Sequence, residues 1–178
     1  ILIGPKYLPK ILSQINIDEF PSYIHRFRAL SGKEIPYNTD QWDGYPKERD
    51  KFYKTISNSQ ANIILAGDSH CSWLSNLYDK SNFIGVEIGA PSISSPNFID
   101  TFGGLVNSIE KSFVESNRDL VWMDGKNKGY TEISVHSDFI EAKFHYVSTV
   151  KSKNYRKLKP ISFIIEHNLS LIHISEPT

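Results

Sequence analysis

The spacing of apolar and polar residues changes along the chain. Residues 63–66 form an apolar run that stops at Gly67, which predicts a buried strand, Ile63–Ala66, followed by a sharp turn. From Gly129 to Tyr146, apolar residues recur at every second position on both sides of a turn at residues 136–138. This period predicts a β-hairpin with one buried face. The positions expected on that face are Thr131, Ile133, Val135, Ile140, Ala142, Phe144 and Tyr146.

Helical patterns lie between these extended segments. Pro46 suits the first turn of a helix, because its missing N–H costs nothing there, and the pattern continues to near Asn58. An apolar stripe predicts a second helix, with Leu105, Val106, Ile109 and Phe113 on its buried side. Further predictions are short helices at Pro9–Ile15 and Pro21–Leu30, strands at Phe83–Ile88 and Leu120–Met123, and a loop of small residues at Gly89–Pro96. Such an alternation predicts a mixed α/β fold.

The stretch Asn62–Trp73 carries the strongest candidate chemistry. Asp68 and His70 directly follow the predicted strand, where residues past the carboxyl end of a strand line the ligand crevice of an open α/β sheet. A carboxylate and a neutral imidazole together suit iron, zinc or manganese, while a hard ion such as calcium would use Asp68 alone. The alternative is that Asp68 caps a following helix and His70 packs or is solvated. The residues alone leave both interpretations open.

A second informative stretch contains Trp42, Asp43, Gly44 and Tyr45. This turn is either a folding corner with its aromatic rings packed under the sheet, or a place where Asp43 faces the same crevice as Asp68. The spacing does not decide between the two.

Composition limits the classes of partner. The 178 residues suffice for one domain, and 20 Lys and Arg balance 20 Asp and Glu, so no nucleic-acid binding is predicted. The basic run from Lys151 to Lys159 is interpreted as a solvated terminal segment. No apolar run approaches the roughly 20 residues that span a bilayer. The single cysteine, Cys71, cannot form an internal disulfide and is either an extra ligand or a structural thiol.

Both ends of the chain look atypical. The first residues resemble the end of a strand, and we expect an amino-terminal part to be missing. Residues Asn168–Thr178 resemble the conceptual translation of a sequencing-library adaptor. We therefore expect residues 1–166 to form the native part and residues 167–178 to be a non-native tail, which excludes His167 and His173 from any site.

Several motifs in one order resemble the carboxyl-terminal part of a PhoD-type alkaline phosphatase. They are Trp42–Pro46 with Glu48 and Arg49, Ala66–His70 with Ser72 and Trp73, Gly85–Glu87, Gly89–Ser92, Ser94–Pro96, Ser116–Asn117 with Leu120, Lys128–Tyr130, and Phe144 with Tyr146, Val147 and Val150. The match covers about residues 40–150.

The resemblance implies a metallophosphatase-like sandwich of mixed sheets flanked by helices, with metal ions, calcium and iron, at the strand ends. It implies hydrolysis of phosphomonoesters and phosphodiesters, with Asp68 and His70 as metal ligands and catalytic residues. Trp42, Asp43 and Tyr45 would lie near the active centre as substrate-binding or supporting residues. The other ligands would lie in the amino-terminal part, so we expect the isolated segment to be inactive. Many members are exported, which implies a secreted or periplasmic protein.

Gly67-Asp68-Ser69 also matches serine esterases whose nucleophile lies in a Gly-Asp-Ser element. That class pairs the serine with a later Asp-x-x-His, and no Asp-x-x-His occurs in this chain. Ser69 thus lacks an evident activating base. The last alternative is a non-catalytic segment.

Overall fold

The computed structural model describes residues 6–14, 16, 25, 28–58 and 62–166, together with the backbone of residues 172–175. Of the predicted helix Pro21–Leu30, only His25 and residues 28–30 are described, and they are helical. The predicted helix Pro9–Ile15 is a short 3-10 helix, Lys10–Ser13, and Ile15 lies outside the described residues.

The described strands form two four-stranded sheets. The first sheet has the order β1-β3-β2-β4, with β1 parallel to β3 and the other pairs antiparallel. Its strands are β1 (Ile63–Ala66), β2 (Ser72–Asp79), β3 (Asn82–Gly89) and β4 (Leu120–Asp124). The second sheet is an antiparallel meander in chain order. Its strands are β5 (Lys128–Val135), β6 (Phe139–Val147), β7 (Ile161–Glu166) and β8 (Ile172–Ser175).

The two sheets pack face to face around one apolar core. Leu74, Val86 and Ile88 of the first sheet share a buried cluster with Phe144 and Phe163 of the second. Each of these side chains is at most 2% exposed, so they exclude water between the sheets. This arrangement confirms the predicted mixed α/β sandwich and the hairpin β5–β6. Val135, expected on the buried face, is instead 74% exposed because it is the last residue of β5, directly before the turn at residues 136–138.

Helices cover the opposite face of the first sheet. They are α1 (Pro46–Ile56), α2 (Phe98–Phe102) and α3 (Val106–Ser116), with short 3-10 helices at Trp42–Gly44 and Gly103–Leu105. On β2, Leu74 faces the sandwich core, whereas Trp73 packs with Ile109 and Phe113 of α3. Helix α1 contributes Tyr53 to a third buried cluster. The predicted stripe of α3 is confirmed except at Leu105, which lies in the preceding 3-10 turn and is half-exposed.

Three strands escaped the sequence analysis. β2 follows the loop after Asp68, so no helix is present there and the interpretation of Asp68 as a helix cap is wrong. The pattern of β2 is obscured by Ser72, Ser75 and Asn76, of which the two serines are fully buried. β7 and β8 also form where no element was expected.

The basic run from Lys151 to Lys159 is mostly exposed, as predicted, but it connects β6 to β7 rather than ending the fold. The backbone of β8 pairs with β7. Within the described parts of the chain, no helix has the length and apolar character that crossing a membrane requires.

Candidate active site

The carboxyl ends of β1 and β3 lie side by side at one edge of the first sheet. Ala66 pairs with Gly89, and the Ala90 amide donates a hydrogen bond to the Ala66 carbonyl at 2.9 Å. The loop after β1, residues 67–71, therefore meets the small-residue loop after β3. Such an edge, where parallel strands end together, is the usual ligand crevice of an open α/β sheet.

Two residues of the loop 67–71 have left-handed backbone conformations. Asp68 has φ of 72° and His70 has φ of 62°, a region that non-glycine residues enter at a cost of roughly 1–2 kcal/mol each. Asp and His tolerate this region better than most residues. Two such residues within three positions indicate that the loop is held in place by its surroundings.

The loop after β3 orients the His70 ring. Nδ1 of His70 lies 2.8 Å from the Pro96 carbonyl oxygen. Because a carbonyl oxygen can only accept, Nδ1 carries the proton, and in the neutral ring the lone pair is then on Nε2. A backbone acceptor on one ring nitrogen is the arrangement that commonly fixes a metal-binding histidine. The spacing predicted the histidine but not this acceptor, which lies 26 residues away.

Asp68 lines a cavity beside this loop. The cavity has a volume of about 600 Å³ and lies between the strand end and the corner at residues 42–45. Its lining residues are Asn38, Asp40, Gln41, Trp42, Tyr45, Glu48, Leu65, Ala66, Gly67 and Asp68. Within residues 28–58 and 62–166, no hydrogen-bond or ion-pair partner is recorded for the exposed Asp68 carboxylate. Its oxygens are therefore available to a ligand.

Asp43 is placed differently from Asp68. Its side chain is 2% exposed, and its carboxylate is 2.5 Å from Nη1 of Arg49 and 3.7 Å from Nζ of Lys6. Asp43 is not among the residues that line the described cavity. These contacts therefore do not support the interpretation that Asp43 faces the crevice. That Asp43 has a supporting role in the active centre stays a prediction.

The aromatic residues of the same corner do reach the cavity. Trp42 packs against Phe52 with ring centroids 5.6 Å apart, and Tyr45 is 58% exposed. Gly44 permits the tight corner, since a Cβ there would overlap the Thr39 carbonyl. Tyr45 is therefore not packed under the sheet as the folding-corner interpretation expected.

Cys71 and Ser69 have local roles in this structure. Cys71 is 2% exposed in the core beside Trp73, and burial raises the pKa of its thiol to about 12, which disfavours the thiolate that binds metals. The hydroxyl of Ser69 lies 3.4 Å from the Cys71 carbonyl oxygen. No imidazole contact to this hydroxyl is recorded in the described residues, so the esterase alternative gains no activating base.

The donor set at the strand end suits a metal ion in part. Asp68 offers oxygen and His70 offers the Nε2 lone pair, a mixture typical of iron, zinc or manganese. In the part of the chain that is described, no three His, Cys, Asp or Glu side chains come together as a ligand group. His70 is not among the lining residues of the cavity. Convergence of Asp68 and His70 on one ion therefore remains a prediction.

Comparison with known proteins places this geometry in a family. The family model described as PhoD-like phosphatase matches residues 12–144. The chain belongs to the PhoD-like phosphatase family. This match spans the Trp42–Tyr45 corner, the loop 67–71 and the loop after β3, so the resemblance found in the motifs is confirmed.

Two relatives extend the assignment. The chain is 38% identical over 66 residues to alkaline phosphatase D of Bacillus subtilis (strain 168), a match covering 33% of this chain and 11% of that protein. It also resembles a solved structure of PhoD with a TM-score of 0.61 and 22% identity, covering 78% of this chain and 27% of the other. The structural likeness supports the sandwich fold. The chain spans only about a quarter of the solved PhoD chain.

Proposed function

We propose that the longer protein containing this PhoD-like segment is a metal-dependent phosphoric ester hydrolase that acts on phosphomonoesters and phosphodiesters. The observation that carries the proposal is Asp68. Its carboxylate lies without a recorded partner on a cavity at the carboxyl edge of the sheet, on a backbone held in the left-handed region. The family membership supplies the reaction class.

Asp68 and His70 would hold metal ions, which we propose to be calcium and iron by resemblance to the family. When bound, such ions supply an activated water and positive charge that offsets charge on the phosphoryl oxygens. Asp68 would contribute carboxylate oxygen. His70 would contribute Nε2, because its Nδ1–H is directed at the Pro96 carbonyl. Pro96 thereby fixes both the tautomer and the plane of the ring.

We further propose that the 178-residue segment alone is inactive. Two ligands from one strand end seldom hold a catalytic metal cluster, which commonly needs at least three protein ligands. The remaining ligands would come from the part of the longer protein that precedes this segment.

The test is an assay of the longer protein with a chromogenic phosphate ester, with and without a chelator. We expect turnover that the chelator abolishes and that added calcium and iron restore. The 178-residue segment measured in parallel should give no turnover. Phosphate-ester turnover that is insensitive to the chelator would refute metal dependence.

A carboxyl ester assayed beside the phosphate ester tests the esterase alternative. We expect no carboxyl-ester turnover in the wild type. Carboxyl-ester turnover that is lost in Ser69→Ala would instead establish Ser69 as a nucleophile and reject the phosphatase proposal.

We also propose that the longer protein is secreted or periplasmic, as the family resemblance implies. Fractionation of cells that express it should place its phosphatase activity outside the cytoplasm. Activity confined to the cytoplasmic fraction would reject this proposal.

A further inference from the structure

The cavity beside Asp68 has one wall of exposed apolar surface. Leu65 is 65% exposed and Tyr45 is 58% exposed, and Trp42 lines the same cavity. Large apolar side chains gathered around a concavity mark a ligand site more often than singly exposed ones do. A phosphate group has no apolar surface that could pack against these side chains, so another part of the ligand would have to contact them.

The charged lining residues of this cavity all have the same sign. They are Asp40, Glu48 and Asp68, and no Lys, Arg or His is among the described lining residues. Glu48 lies 2.6 Å from Lys51, but both side chains are largely exposed, so the pairing cancels little of the charge. Metal ions would offset the charge of Asp68, but Asp40 and Glu48 would keep theirs. Like charges lining a concave surface create a potential that attracts cations and repels anions.

We propose that this cavity binds the organic group of the phosphate ester and selects apolar groups that are neutral or positively charged over anionic ones. This inference rests on the hydrolase function proposed above. The phosphoryl group would lie at the Asp68 end, where bound metal ions offset its charge, and the organic group would lie against Trp42, Tyr45 and Leu65. Aromatic faces beside carboxylates favour an alkylammonium group through cation–π attraction.

Three phosphate esters, two of the same shape and a third with an anionic group, test the charge preference in the longer protein. The alcohols are choline, its neutral carbon analogue 3,3-dimethylbutanol, and the anionic 4-hydroxybutanoate, each presented as the monoester or diester that the enzyme turns over. We expect kcat/KM to be highest for the choline ester, lower for the dimethylbutyl ester and about tenfold lower for the hydroxybutanoate ester than for the choline ester. High salt should reduce this difference in kcat/KM. Equal kcat/KM values for the three esters would overturn the proposal.

Removing one carboxylate identifies the cavity as the source of the preference. Glu48→Gln should reduce the choline-to-hydroxybutanoate ratio about threefold. Glu115→Gln is a matched control, because Glu115 is equally exposed and also pairs with a helical lysine, Lys111, but does not line the cavity. A ratio that changes equally in both variants, or in neither, would overturn the proposal.

Loss of the apolar wall should affect substrate binding rather than chemistry. Tyr45→Ala should raise KM for the choline and dimethylbutyl esters several-fold with little change in kcat. The control is Tyr155→Ala, which removes a tyrosine of similar exposure, 54%, outside this cavity. An unchanged KM in Tyr45→Ala would overturn the role of the wall.

A binding experiment separates failure of this inference from failure of the proposed function. The indole N–H signals of the 178-residue chain are recorded by NMR with choline, 3,3-dimethylbutanol or 4-hydroxybutanoate. We expect choline to shift the signal of Trp42 most and to leave that of buried Trp73 unchanged. A Trp42 shift in the 178-residue chain, together with no phosphate-ester turnover by the longer protein, would support the cavity but reject the hydrolase. No shift with choline or dimethylbutanol would reject the cavity as their site.

Discussion

The corner at residues 42–45 and the loop at residues 67–71 each carry an aspartate that the sequence nominates, and the structure treats the two in opposite ways. Asp43 is buried and bonded to Arg49, with Lys6 nearby. Asp68 is exposed on a cavity, with no partner recorded in the described residues, and occupies an unfavourable backbone region. An acid whose charge is already compensated stabilises the fold, whereas an uncompensated one at a cavity is available to a ligand.

The largest expected effect of this difference is on stability at the corner. Asp43→Ala leaves the Arg49 guanidinium, whose side chain is 15% exposed, without its carboxylate. Breaking a buried ion pair from one side costs about 3–5 kcal/mol. Urea denaturation of the 178-residue chain should show a loss of this size. Asp50→Ala, an exposed aspartate in α1, should change the free energy of unfolding by less than about 0.5 kcal/mol. A loss below about 1 kcal/mol for Asp43→Ala would mean that the ion pair contributes little.

The next effect is on activity at the loop. Asp68→Asn in the longer protein should lower kcat about 100-fold or more, equivalent to about 2.7 kcal/mol, because a metal ligand loses its charge. The free energy of unfolding should change little, since no recorded contact is removed. Asp138→Asn, an exposed acid in the turn between β5 and β6, is the matched control and should keep full activity. An active Asp68→Asn enzyme would remove Asp68 from the metal site.

A smaller effect concerns the pH dependence of stability. Within the same loop Asp68 is exposed, whereas Cys71 is buried. Burial raises the pKa of the Cys71 thiol from 9.0 to about 12. Between these pH values the thiol keeps its proton in the folded state but loses it in the unfolded chain. The stability that this provides is complete below pH 9 and is lost as the pH rises toward 12. Burial also raises the pKa of Tyr37, from 10.0 to about 12, which adds a further loss above pH 10.

Urea denaturation between pH 8 and 10 measures this linkage. The wild type should lose about 1.4 kcal/mol more than Cys71→Ala over that interval, the value of one pKa unit for one group. Equal losses in the two proteins would show that the thiol is not protected by burial and would reopen its role as a ligand.

The smallest effect concerns backbone strain. Asp68→Gly should raise the free energy of unfolding by up to about 1 kcal/mol, because glycine adopts positive φ without steric cost. The adjacent Ser69→Gly should act in the opposite direction by about 0.5–1 kcal/mol, since Ser69 is not among the residues with positive φ. If both changes have the same sign, the loop is not strained at Asp68.

Local patterns were sufficient for much of the fold. The strand Ile63–Ala66, the helix that begins at Pro46 and the hairpin β5–β6 all lie where their periods and turn residues predicted. β2 could not be found this way, because a strand covered on both faces need not alternate. Ser72 of β2 can be buried because it accepts a hydrogen bond from the Tyr146 hydroxyl at 2.9 Å. This partner lies 74 residues away in the chain, so the local pattern does not show it.

By itself, the sequence determined the periodic elements, the residue types at the strand end and the family in which they occur. The tertiary structure alone decided which of two similar aspartates is neutralised and which faces a cavity, and that the Pro96 carbonyl orients His70. The physical reason is that periodicity reports how a residue is buried relative to its chain neighbours. The charge that a carboxylate retains, and the tautomer of an imidazole, depend instead on groups that only folding brings within hydrogen-bonding distance.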